Sequence, residues 1–253
     1  MTIKELDVWF RKLLDIDAFA EKDDSLNGIQ VGRSAAPLTK VAFAVDACAE
    51  SISRAAASGA QALFVHHGLF WGKPERIDGL MLGRIRALVQ SNLALYACHL
   101  PLDSHPELGN NAVLARLLGL MNLEPFGRYH GIDIGCAGIL PEPIGMEEAI
   151  RRILPDGSRP RTLIAAGPSL IRKVAVVSGG APFEALQALG TGIDLYVTGE
   201  PSHSIYHHMV EGCLNFVAAG HYATEIWGVR AVAERLAAET GLKTTFIDLP
   251  TGL

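Results

Sequence analysis

Cysteine is scarce and scattered. Cys48, Cys98, Cys136 and Cys213 form no CxxC pair, which excludes a zinc knuckle and a dithiol redox motif and leaves reduced, buried thiols as the reading. Basic clusters are also missing: the formal net charge is -5, and without grouped Lys and Arg a dedicated nucleic-acid binder is excluded. No apolar run reaches membrane-spanning length. The opening "MTIKELDVWFRKLLD" mixes charged and apolar residues at helical spacing, where a signal peptide would have an unbroken apolar core. These absences predict a cytoplasmic protein with no membrane partner. What is present is a globular composition, 49% hydrophobic and 19% charged over 253 residues, enough for one large or two small cores.

The chain repeats itself. "KVAFAVDACAESISRAAASGAQALFVHHG" (40 to 68) reads as strand, helix, strand, and "KVAVVSGGAPFEALQALGTGIDLYVTGE" (173 to 200) has the same order and nearly the same length. A further strand follows each unit, and "NLALYACHLPLD" (92 to 103) laid on "LNFVAAGHYATE" (214 to 225) places His99 on His221 and Asp103 on Glu225. The predicted fold class is α/β, with two similar, interlinked domains related by this βαβ repeat. Residues 1–124 with 216–253 form the first, and 125–215 form a second, inserted domain. "GMEEAIRRIL", with acids early and arginines late, is a helix of the second. "TEIWGVRAVAERLAAETG" and "TTFIDL" give the first its closing helix and strand.

Chemistry gathers where the apolar strands end. In "ALFVHHGLFWGK" (62 to 73), His66 and His67 would face opposite ways inside a strand, but at its last residues, with Gly68 supplying the turn, both can line one site. With His99, Asp103, His221 and Glu225 they make a set of imidazoles and carboxylates suited to zinc, iron, manganese or cobalt. One ion would leave surplus buried ionisable groups. Two adjacent divalent transition-metal ions use them all, with a carboxylate bridge and a shared water turned to hydroxide, the logic of dinuclear hydrolases. Glu225 suits the bridge, being in the first turn of a helix that follows His221. Pro101 keeps "HLPLD" extended or turned, so Asp103 should reach the site from a loop. His99 serves as ligand, as support for a ligand, or as proton carrier. Elsewhere, His203, His207 and His208 read as a solvated helix surface, Asn110 and Asn111 as caps, and Trp71 as either an active-site wall or ordinary packing.

"DSLNGIQVG", "FVHHGLFWGK", "YACHLPLDSHPELGNNAVLARLLG", "VTGEPSHSIYHH", "AAGHYATEIWGVRAVAERL" and "TTFIDLP" together resemble the NGG-interacting-factor-like family, also called GTP cyclohydrolase I type 2 homologues. The resemblance runs nearly end to end. It implies two interlinked α/β domains, a dinuclear metal centre, and a homohexameric ring, or toroid, whose centres face an internal cavity. It puts the metals on His66, His67, Asp103, His221 and Glu225, with Glu225 shared, and leaves His99 outside the ligand set as a catalytic candidate. Two functions follow: a metal-dependent hydrolase acting on a small nucleotide-like or heterocyclic substrate, or a non-catalytic metal-handling or protein-interaction ring. No P-loop and no arginine cluster marks a triphosphate site.

Overall fold

The computed structural model describes residues 1–33 and 36–253. Its elements are α1 (Ile3–Leu14), β1 (Gly28–Val31), β2 (Lys40–Asp46), α2 (Ala49–Ala57), β3 (Ala62–His67), α3 (Gly79–Gln90), β4 (Ala94–Ala97) and the one-turn α4 (Leu100–Asp103). Then come α5 (Asn110–Leu118), β5 (Met121–Tyr129), β6 (Ile132–Gly145), α6 (Met146–Ile153), β7 (Thr162–Ile164) and β8 (Leu170–Val176). The chain continues through β9 (Leu195–Thr198), α7 (Tyr206–Glu211), β10 (Asn215–Ala218), α8 (His221–Thr240) and β11 (Lys243–Phe246). Met1–Leu102 with Gly228–Leu249 form one compact unit, and Asp103–Trp227 with Pro250–Leu253 form the other.

In the first unit the sheet order is β1-β4-β3-β2-β11, with β1 antiparallel and the rest parallel. Its continuous apolar runs are those of strands covered on both faces. Phe43, Phe64 and Tyr96 fall in one cross-strand row and stack at 5.3 and 5.9 Å, and Phe10 of α1 lies on Phe64 and Tyr96 at 4.8 and 4.7 Å. α1 can do this because Ile3, Leu6, Phe10 and Leu14 repeat at helical spacing behind a Thr2–Glu5 capping box. The alternate residues, Leu63, Val65, Leu95 and Ala97 among them, face Ile52 of α2 and Leu88 of α3.

In the second unit the order is β5-β6-β8-β9-β10-β7, with β8, β9 and β10 parallel. Val174, Val176, Leu195, Val197 and Val217 pack against Leu114 and Leu118 of α5 and Ala149 and Ile153 of α6. α6 carries Glu147 and Glu148 in its first turn and Arg151 and Arg152 in its last, as predicted. The repeat is thus real in its strands. It differs in the crossover, where Phe183–Ala188 is a 3-10 segment instead of a full helix.

Three expectations need correction. The unit boundaries fall at 102/103 and 227/228, where the sequence pattern put them near 124 and 215, since α5, Ala223 and Trp227 all pack in the second core. Asp103 sits in α4 and not in a loop, because Pro101 occupies its first turn, where no backbone donor is needed. Of the cysteines, Cys98 is buried, Cys48 and Cys136 are half-buried and Cys213 is exposed; none forms a disulfide. Among the described residues no helix is long and apolar enough to cross a membrane.

Candidate metal centre

The donors of the first unit stand at the carboxyl ends of its parallel strands. His66 is fully buried and His67 half-buried; the two rings lie 4.6 Å apart, and each reaches toward a different neighbour of the central strand β3. His66 Nδ1 meets the carbonyl oxygen of Cys98, just beyond β4, at 3.0 Å. His67 Nδ1 meets Asp46 Oδ1, at the end of β2, at 2.8 Å. A carbonyl only accepts, so His66 carries a proton on Nδ1, and in the neutral imidazole the lone pair is then on Nε2. Asp46 favours the same tautomer in His67. His99 follows the same rule: its Nδ1 lies 2.9 Å from Asp23 Oδ1. Ligand atoms of His66, His67 and His99 all fall within 4.8 Å of one another. Gly68 is needed for space and not for a left-handed turn, since a Cβ there would come 2.4 Å from Gln30 Nε2 and 2.6 Å from Ala97 Cβ.

In the second unit the donors are joined by one turn. His221 opens α8, and its Nδ1 meets Glu200 Oε1, just beyond β9, at 2.6 Å. Its Nε2 lies 3.1 Å from Oε1 of Glu225, one helical turn later. Burial opposes a charge on His221, but Glu225 and Glu200 outweigh it and raise its pKa to about 9. Glu225 is 2% exposed. The Ser178–Gly179 turn after β8 ties this pair to Asp103. Ser178 Oγ donates to Asp103 Oδ1 at 3.0 Å, and Gly179 N donates to Thr224 Oγ1 at 3.0 Å. Gly179 has φ +67°, and a Cβ on it would come 2.2 Å from Glu225 Oε1, so the carboxylate occupies space that only glycine leaves. Asn110 Nδ2 donates to the same Asp103 oxygen at 2.8 Å, while Asn111 bridges the Asp103 carbonyl and Ser178 N.

The structure therefore places His66, His67 and His99 together in the first unit, and His221 with Glu225, linked to Asp103, in the second. Asn110 and Asn111 are not caps, since Gly109 caps α5 and both side chains are turned inward to Asp103 and its surroundings. His203, His207 and His208 are exposed, as predicted. Sequence reasoning missed Asp23, Asp46, Glu200, Ser178 and Gly179. One signal was present: Asp46–His67 and Glu200–His221 are both separated by 21 residues, an acid at one strand end holding an imidazole at the end of the next parallel strand.

The donor chemistry suits a metal. Imidazoles anchored through Nδ1 to carboxylates or a carbonyl are the usual state of metal-ligating histidines. These features define a two-unit α/β protein whose strand ends carry histidine and carboxylate groups that could hold a metal ion. The chain belongs to the Duf34/NIF3 (NGG1p interacting factor 3) family, whose model matches residues 1–251. It is 40% identical to the GTP cyclohydrolase 1 type 2 homolog of Treponema pallidum over all of both chains. It is 42% identical to that of Deinococcus radiodurans, over 98% of this chain and 94% of that one. The solved structure of TTHA1606 from Thermus thermophilus superposes with a TM-score of 0.91 at 40% identity, covering all of both chains.

Proposed function

We propose that His66, His67, Asp103, His221 and Glu225 hold two divalent transition-metal ions, with Glu225 shared, in a metal-dependent hydrolase of small nucleotide-like or heterocyclic substrates. The observation that carries this reading is the anchoring of His66: a fully buried imidazole whose Nδ1 meets a carbonyl oxygen has, in its neutral form, Nε2 as the ligating atom. His67 repeats the arrangement against Asp46, and His221, anchored in the same way to Glu200, would give up its Nε2 proton to a metal ion. The name shared by the relatives supports a nucleotide-like substrate class. When bound, two such ions supply Lewis acidity and lower the pKa of water.

The chain's own part is orientation and proton transfer. Asp103 is fixed by Asn110 and Ser178, so it needs no reorganisation to serve as a ligand. His99, with Nδ1 turned to Asp23, accepts a proton at Nε2 and, as imidazolium, returns it to the leaving group. We also propose that copies assemble as a hexameric ring; Ile77, Leu80 and Val89, on and just before α3, are 53%, 82% and 64% exposed and offer an apolar contact. Light scattering showing a monomer at micromolar concentration would refute the ring.

Elemental analysis of metal-loaded protein tests the centre: two ions per chain in the wild type and none in Glu225→Ala. Two ions retained in Glu225→Ala would refute the shared ligand. A screen of nucleotides, pterins and cyclic amides tests the activity, with His99→Ala keeping both ions and losing turnover by about 10²- to 10⁴-fold. A fully loaded wild type inert across that screen would favour the metal-handling alternative.

A further inference from the structure

A cavity of about 400 Å³, within the size range of small-molecule sites, opens in the first unit beside Trp71. Two observations connect it to the imidazoles, and a third fixes its wall. Asp23, in its lining, bonds His99. The Trp71 ring meets the His99 ring edge-on at 4.9 Å and lies 6.1 Å from that of His67. Trp71 Nε1 donates to the Gly68 carbonyl at 3.1 Å, which fixes the indole as a wall before any ligand arrives.

Ser25 points to a ligand independently. It lines the cavity and is 6% exposed, its backbone is held by a bridge to Trp71, and its buried hydroxyl has no hydrogen-bond partner among the described residues. A buried hydroxyl left this way is costly unless something supplies the bond. The charges then choose among ligands. Among the described residues of the lining, Lys73 is the single cation, and Asp24 and Glu75 are exposed carboxylates beside it. Carboxylates accept from N–H groups and repel phosphate, so one ammonium can accommodate one anionic group and not three.

We infer that this cavity seats the substrate of the proposed centre, a planar, amino-substituted heterocycle carrying at most one phosphate, stacked on Trp71 with its polar edge at Ser25. The inference rests on the proposed function for its link to chemistry, but binding is measurable without turnover. The probes are 2-aminopurine riboside and its 5′-monophosphate and 5′-triphosphate, whose fluorescence falls on stacking, each titrated with full-length, metal-loaded protein. The riboside and monophosphate should be quenched saturably, and the triphosphate should bind at least about 10-fold more weakly. Trp71→Ala should weaken riboside binding by about 5- to 150-fold, the worth of one stacked base. Ser25→Ala should weaken it by about 5-fold, with the metal content of each variant unchanged. Trp71→Phe, which keeps a ring, should fall between, and it preserves the test if Trp71→Ala folds poorly. Unchanged binding in Trp71→Phe and Ser25→Ala, no quenching of any probe by loaded wild type at millimolar protein, or tightest binding by the triphosphate would overturn the inference. Probe binding by a protein that takes up no metal would instead remove the dinuclear reading and leave the cavity assignment standing.

Discussion

Replacing Asp23 by Ala tests whether the histidines are held as rigidly as the distances imply. The carboxylate is 1% exposed and accepts from Ser25 N at 3.0 Å, Asn27 Nδ2 at 2.8 Å, Leu100 N at 2.9 Å and His99 Nδ1 at 2.9 Å. Each hydrogen bond to a charged group contributes about 1.5–3 kcal/mol in isolation, but the four are not additive and water refills part of the space. Breaking a buried, paired carboxylate costs about 3–5 kcal/mol, which for a chain of this size is a fall in Tm of about 6–20 °C. The pH dependence has a definite sign. Burial alone would raise the Asp23 pKa, but the bonds from His99, Asn27 and Ser25 win and hold it below the ordinary carboxyl value. Its contribution is therefore complete above the unfolded carboxyl pKa and is lost as pH falls through the lower, folded value. Thermal melts followed by circular dichroism from about pH 7 to about pH 3 should show a wild-type-to-variant gap that holds above about pH 5 and narrows below about pH 4. A loss smaller than about 1 kcal/mol, or a gap as wide in acid as at neutrality, would refute the reasoning.

Asp46→Ala and Glu200→Ala remove the groups that orient His67 and His221, and each should weaken metal binding by about 10- to 100-fold in competition with a chromogenic chelator. Equal affinity in both variants would show the anchors to be incidental. Gly179→Ala forces a Cβ toward Glu225 Oε1 and should reduce metal content while the far-ultraviolet spectrum stays native; unchanged stoichiometry would mean that the carboxylate can yield. Burial pushes the Cys136 thiol up to about 12, so at about pH 8 a thiol reagent should modify exposed Cys213 promptly and Cys136 only after denaturation. Equally fast labelling of the two would contradict this.

Much of the architecture was legible in periodicity. "ALFVHH" reads as a covered parallel strand because its apolar run is unbroken, and β3 lies between β2 and β4 with both faces buried. α1 and α6 announce themselves by spacing and end charges. The six candidate donors could be named because histidines and acids are conspicuous where apolar strands stop. What holds them could not. Asp23 finds His99 across 76 residues, and Ser178 finds Asp103 across 75, separations at which local pattern carries no information. α4 was misread because a proline that forbids a helix interior is well tolerated in a first turn.

The pairing of β11 with β2 sets an order of events during synthesis. Its register matches Lys243 with Lys40, 203 residues apart, while residues 103–227 of the second unit are contiguous. At about 5–20 residues per second, β2 waits roughly 10–40 s for its outer neighbour to be made. Throughout that interval one side of β2 is an open edge able to recruit strands from other nascent chains. The second unit has the time to fold first, and slower translation would lengthen the exposure of the first.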